Sequence, residues 1–161
     1  MKGIIPKSWL GFDSRNGRLF AGAGTEHDLF VYGVPPRTTI RIESRPQTEF
    51  RGERLFVHQP IAPHFLIHSV RVGNMETTAG YGPIPADAFA TRMDRIAEID
   101  VLFKQHEVFE LKIDRNAYEI LGMEWPLPAI QGGTLVMMTI ENIDDHPHRF
   151  VAAWLGRTDS R

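Results

Sequence analysis

The sequence predicts an all-β protein: a single jelly-roll-like antiparallel sandwich of about eight strands, with one short helix in a loop. Three observations predict it. Short runs rich in β-branched and aromatic residues recur about every ten to fifteen residues, each closed by Gly, Pro, Asn or Asp. The runs at 38–44 and 108–114 alternate apolar and polar residues with the period of a half-buried strand. Finally, two apolar runs at 134–142 and 149–156, separated by a short polar turn, read as a closing hairpin. With 161 residues, 42% of them hydrophobic, the chain suits one domain spanning 1–161. A domain of that size hides about 70% of its unfolded surface, so packing alone can hold it. Cysteine is absent, which excludes disulfides and thiolate metal sites.

Residues 1–36 read as an amino-terminal hairpin and arm, and 37–156 as the jelly-roll core. Runs at 7–14 and 18–21 flank Asn16-Gly17, a dipeptide suited to the positive φ angles of a type I′ turn, which predicts an opening hairpin. The run 28–33 stops at Pro35-Pro36. In 38–44, Ile40 and Ile42 point inward and Arg41 and Glu43 outward. The segment 49–58 is extended, with Gly52 placed for a bulge or a close backbone approach. Pro60 and Pro63 force a corner before the strand 65–72, where straight alternation puts His68 on the face of Leu66, Val70 and Val72 as a hydrogen-bonded core histidine. Residues 74–85 lack a period. From Ala86 to Glu98, Phe89, Met93, Ile96 and Ala97 fall on one stripe, predicting a helix of about three turns over 86–98. Phe109, Leu111 and Ile113 share a face of the next strand. The segment 123–130 carries two prolines that hold it extended, an arm suited to reach a neighbouring subunit.

Chemistry is sparsely marked. Eighteen Lys plus Arg against twenty Asp plus Glu give a net charge of −2, which argues against nucleic acid as the main partner. The start of the chain lacks the apolar stretch of a secretory signal, pointing to an intracellular product, and no segment reaches the roughly twenty apolar residues of a spanning helix, so no membrane partner is expected. His58, His64 and His68 invite a metal, but on one straight strand positions 64 and 68 stand about 13 Å apart. His146-Pro147-His148 has the spacing that opens a cupin metal site, yet position 140 is Ile rather than glycine and no glutamate follows within a few residues; these histidines fit an exposed turn. None of the serines sits in a Gly-x-Ser-x-Gly elbow. The pairs Glu107/Glu110 and Glu119/Glu124 read as solvated surface, and the glycines of 21–24 match no phosphate loop. No catalytic residue, metal or cofactor is therefore assigned.

Large apolar residues near predicted ends and loops supply the interface candidates Trp9, Phe12, Tyr81, Met123, Trp125 and Leu127. Two alternatives use other residues. A cupin-like metal-dependent enzyme would draw on the 58–68 and 146–148 histidines, and a carbohydrate-binding sandwich would stack sugars on Trp9, Tyr81 or Trp125.

The runs 50–57 and 61–74, the element 82–89 and the ending 140–156 together resemble small jelly-roll structural proteins of bacterial viruses, either capsid or capsid-decorating subunits. The likeness covers roughly residues 37–156. It implies a protein that acts by assembly without a cofactor, its partners being copies of itself in a trimer or larger ring and other shell proteins. It also implies residence in the virion after synthesis in the host cytoplasm. Genome-packaging coat proteins often carry a strongly basic arm; residues 1–18 hold only Lys2, Lys7, Arg15 and Arg18 against Asp13, which favours an outer or decorating role.

Overall fold

The computed structural model describes residues 4–14, 17–19, 33–58, 60–77, 83–90, 109–114 and 122–158, with 4–9, 17–19 and 109–114 described by their backbone. The described residues form eleven strands: β1 (Ile4–Asp13), β2 (Gly17–Leu19), β3 (Thr39–Ser44), β4 (Arg51–Val57), β5 (Phe65–Val72), β6 (Met75–Glu76), β7 (Ile84–Pro85), β8 (Phe109–Asp114), β9 (Met123–Glu124), β10 (Val136–Asn142) and β11 (Val151–Arg157). Eight of them are three residues or longer. One sheet runs β8-β1-β11-β4-β9; the other runs β2-β3-β10-β5-β6, with β7 also on β5. All strand pairings are antiparallel.

The order is that of a jelly roll. β1 pairs with β11, β3 with β10, β4 with β9 and β5 with β6, so the strands nest in successive pairs like one long ribbon rolled up. Facing side chains fill the space between the sheets. Phe12, Leu55 and Trp154 from the first sheet meet Ile40, Ile42, Phe65, Ile67, Met138 and Ile140 from the second, all at most 1% exposed. Loop residues Val34, Phe50, Phe89 and Phe150 close the ends of this core.

Several expectations are corrected by the sheet order. Neither predicted hairpin forms. The chain leaves β1 at Ser14, whose N–H donates to the Phe150 carbonyl at 2.9 Å, and enters the opposite sheet at Gly17. Likewise β10 pairs with β3 and β5, whereas β11 pairs with β1 and β4, so 143–150 is a corner between sheets. Apolar content reports that a strand is central but not which sheet holds it. The helix expected over 86–98 is absent from its described part: Ala86–Phe89 is a single 3-10 turn, ended by Ala90 in extended conformation (φ −71°, ψ 150°). Residues 91–98 lie outside the described residues, as do the run 28–32 and the glycines of 21–24. Within 74–85, β6 and β7 add short pairings to β5.

His68 is not in the core. The β5–β10 register shifts between Thr139 and Ile140, so that Ser69 pairs with Thr139 and Ile67 with Ile140, leaving His68 as the extra residue of a bulge. The bulge lets Phe65 and Ile67 on one side and Val70 and Val72 on the other all face inward, and turns His68 outward to Glu141 at 2.8 Å.

Gly52 meets its expectation. The β4–β11 register shifts beside it, between Leu155 and Gly156, and a Cβ there would lie 2.8 Å from Trp154 Cδ1 and 2.9 Å from Leu127 Cδ1. Gly52→Ala should therefore destabilise by about 1–3 kcal/mol through overpacking. Thermal melting checks it, with an expected drop of roughly 3–10 °C for a domain of this size.

The arm 123–130 stays on its own chain. Trp125 and Leu127 donate N–H groups to the Glu53 and Gly52 carbonyls at 3.0 and 2.9 Å, and Ile130 and Phe50 exchange bonds of 2.9 Å. Pro126 and Pro128 occupy the alternate positions, where an edge strand's N–H points away from its partner, so the prolines cost no ladder bond.

Candidate functional site

The jelly-roll wiring brings together two corners distant in sequence. The first is the 3-10 turn Ala62–His64 before β5, anchored by the Ala62 N–H on the His58 carbonyl at 3.1 Å. The second is the 143–150 corner. The Ile143 N–H donates to the His64 carbonyl at 2.9 Å and ties one to the other.

Asn142, fully buried at the end of β10, shapes the second corner. Its Nδ2 donates to the Val34 carbonyl at 2.9 Å and the His146 carbonyl at 2.8 Å, while its Oδ1 accepts the Asp144 N–H at 2.8 Å. The main chain of His148 is pinned by reciprocal bonds with Val34 of 2.7 and 3.2 Å. Gly33 adopts φ +105°, and a Cβ there would come within 2.5 Å of the His148 carbonyl carbon, so only glycine permits this approach.

On this frame, Asp144 Oδ2 is the hub of three imidazoles. It lies 2.7 Å from His148 Nε2, 3.6 Å from His64 Nδ1 and 3.7 Å from His146 Nδ1. The His64 and His148 rings stack face to face with centroids 4.0 Å apart and planes 2° from parallel, and Phe65 meets His148 edge-on at 6.5 Å. His148 is the most enclosed imidazole, its side chain 22% exposed against 80% for His146. The hydrogen bond from His148, then the Asp145 N–H, hold the Asp144 carboxyl down to about 2 from its ordinary 3.8.

Because that value is depressed in the folded state, Asp144 contributes stability that is fully present above about pH 4 and is lost as the pH falls toward 2. Acid unfolding of the wild type and Asp144→Asn checks this. The two curves should stay separated above about pH 4 and converge below it.

A second polar contact braces the same corner from the other sheet. Arg149 Nε donates to Asp13 Oδ1 at 3.0 Å, and its Nη2 to Asp13 Oδ2, a bidentate fork. The hydrogen bonds to Asp13 raise the Arg149 pKa above its usual value. Next to it, the Phe150 N–H donates to Ser14 Oγ at 3.1 Å.

Among the described residues, the histidines of the 58–68 run thus separate: His64 joins His148 and Asp144 within ligand distance, whereas His68 pairs with Glu141. His146 is exposed as expected of a turn, but His148 turns inward. The straight-strand separation of 64 and 68 concealed this, because the partner of His64 lies across the corner. The pairing of Asp144 with His148 at i, i+4 was the available signal; Asn142 and the Asp13–Arg149 fork had none.

Two interface candidates lie within this chain's own core, Phe12 at 1% and Leu127 at 4% exposure, so they are not available to a neighbour. Met123 is exposed. Trp125 is half-buried, its ring against Phe89 at 5.3 Å and Trp154 at 5.5 Å, which removes it as a free stacking platform for sugars. Tyr81 and the Trp9 side chain lie outside the described residues; the Trp9 backbone pairs with Leu155 and Phe109. Among the described residues no helix is long and apolar enough to cross a membrane. No family model matches the sequence, and neither a curated protein nor a solved structure matches it.

Proposed function

We propose that this protein is a self-associating structural subunit of a virus particle, a capsid or capsid-decorating protein that works by assembly. The observation that carries the reading is the nested strand order around an interior filled by Trp154, Phe12, Phe50, Phe65 and Phe150. Jelly rolls of this order recur in viral shells. Among the described residues the space between the sheets is taken up by apolar side chains, and the imidazoles of His64, His146 and His148 stand at a corner outside it.

Met123 supplies a test. It is a large apolar side chain 47% exposed on β9, at the edge of its sheet. Met123→Glu should weaken self-association at least about tenfold in sedimentation equilibrium while leaving the melting temperature nearly unchanged. An unaltered association constant removes this edge from the interface.

A cupin-like metal-dependent enzyme is the second reading, favoured by the meeting of His64, Asp144 and His148. It requires turnover of a substrate, which assembly does not.

A further inference from the structure

We propose that His64, Asp144 and His148, with His146 as a fourth donor, bind one divalent transition ion of the zinc class, and that the ion clamps the two corners of the sandwich together. The ligand atoms of His64, Asp144 and His148 all lie within 4.8 Å of one another. Tetrahedral zinc, with bonds of about 2.0–2.2 Å to nitrogen and oxygen, places neighbouring ligand atoms roughly 3.3 Å apart. The separations of 3.6 Å from His64 and 3.7 Å from His146 to Asp144 Oδ2 already approach that spacing. The His148 bond of 2.7 Å lengthens to it when an ion takes the place of the shared proton.

Donor chemistry selects the ion. Imidazoles with one carboxylate suit zinc and its neighbours, whereas magnesium and calcium require mostly oxygen ligands. The supporting frame is built: Asn142 fixes the Asp144 main chain and Val34 fixes that of His148. Side-chain exposures of 34% at His64 and 32% at Asp144 leave a path for the ion from solvent.

Two local changes accompany binding. The first is at His146, whose exposed ring lies near Asp144 but outside the close group of three and swings toward it. The second is at the stack: the lone pairs of parallel rings lie in separate parallel planes and cannot meet at one ion, so the stack must open. His64, more exposed than His148, is the ring that turns about its Cβ–Cγ bond. Residues 64 and 144 are far apart in sequence, so an ion held between them closes a long loop and stabilises the fold. The ligands all come from one chain, so the ion binds whether or not the protein assembles.

Calorimetric titration of the full chain, stripped with a chelator, with zinc sulfate tests the site. One ion per chain is expected, with a melting temperature raised by roughly 5 °C or more when zinc exceeds its dissociation constant a hundredfold. His64→Ala and His148→Ala should each weaken binding by more than the roughly 10- to 100-fold that loss of a supporting partner costs. His146→Ala should weaken it less, and His68→Ala not at all. If a variant fails to fold, the wild-type protein still decides: the ring proton resonances of His64 and His148 must shift with zinc while those of His68 hold. Absence of stoichiometric binding at millimolar zinc, or binding undiminished in the His64→Ala/His148→Ala double variant, overturns the proposal.

Discussion

Trp154→Ala should remove about 4 kcal/mol from the free energy of unfolding, the largest loss expected of any single side chain here. Trp154 is fully buried at the middle of β11, the strand held between β1 and β4. Its ring meets Phe12 edge-on at 5.9 Å and Trp125 at 5.5 Å, so truncation empties the junction of three aromatic rings. Neighbouring strands cannot close the gap, because β11 is hydrogen-bonded along both edges. The indole N–H also donates to the Trp125 carbonyl at 2.9 Å, which anchors the extended arm over the core. Trp154→Phe keeps most of the apolar area and loses that bond, so it should cost about 1–3 kcal/mol. Urea unfolding of the three proteins checks the order. A loss below about 1.5 kcal/mol for Trp154→Ala would mean that the interior collapses around the gap or is not packed as described.

Arg149→Met should cost about 3 kcal/mol. The Asp13 side chain is only 2% exposed and Arg149 grips it through two nitrogens, so removing the guanidinium strips the buried carboxylate of its bidentate counter-charge. Arg149 is itself 34% exposed, and solvent screening keeps the figure at the lower end of the range for broken buried pairs. Replacing both members, as Asp13→Leu with Arg149→Met, should recover most of the loss, since the desolvation of two charges is then no longer required. Urea unfolding of the two single variants and the pair, read as a double-mutant cycle, measures the coupling. Additive effects would show that the fork contributes nothing beyond the separate side chains.

Core membership was legible wherever alternation ran unbroken, as in β3, where Ile40 and Ile42 are buried and Arg41 and Glu43 are not. It failed at His68, where one bulged residue reverses the phase of everything before it. Topology was harder to read than burial. Asn16-Gly17 suits a tight hairpin, and two apolar runs around 143–150 suit another, but each central strand must satisfy both of its edges, and the rolled ribbon does so by sending β1 and β2, and again β10 and β11, to opposite sheets. The site was half visible. His146, His148 and Asp144 stand together in the chain, whereas His64 arrives from about eighty residues away by the Pro60–Pro63 corner, a distance that no local spacing encodes. Prolines misled once: in 123–130 they mark an edge strand on its own sheet rather than an arm reaching outward.

Static light scattering of the purified full-length protein across the micromolar range tests the central claim, that this sandwich serves assembly, most directly. A tiling subunit should show a mass several times the 18.3 kDa of one chain, rising or holding as concentration increases. A constant mass of one chain at every concentration would contradict it.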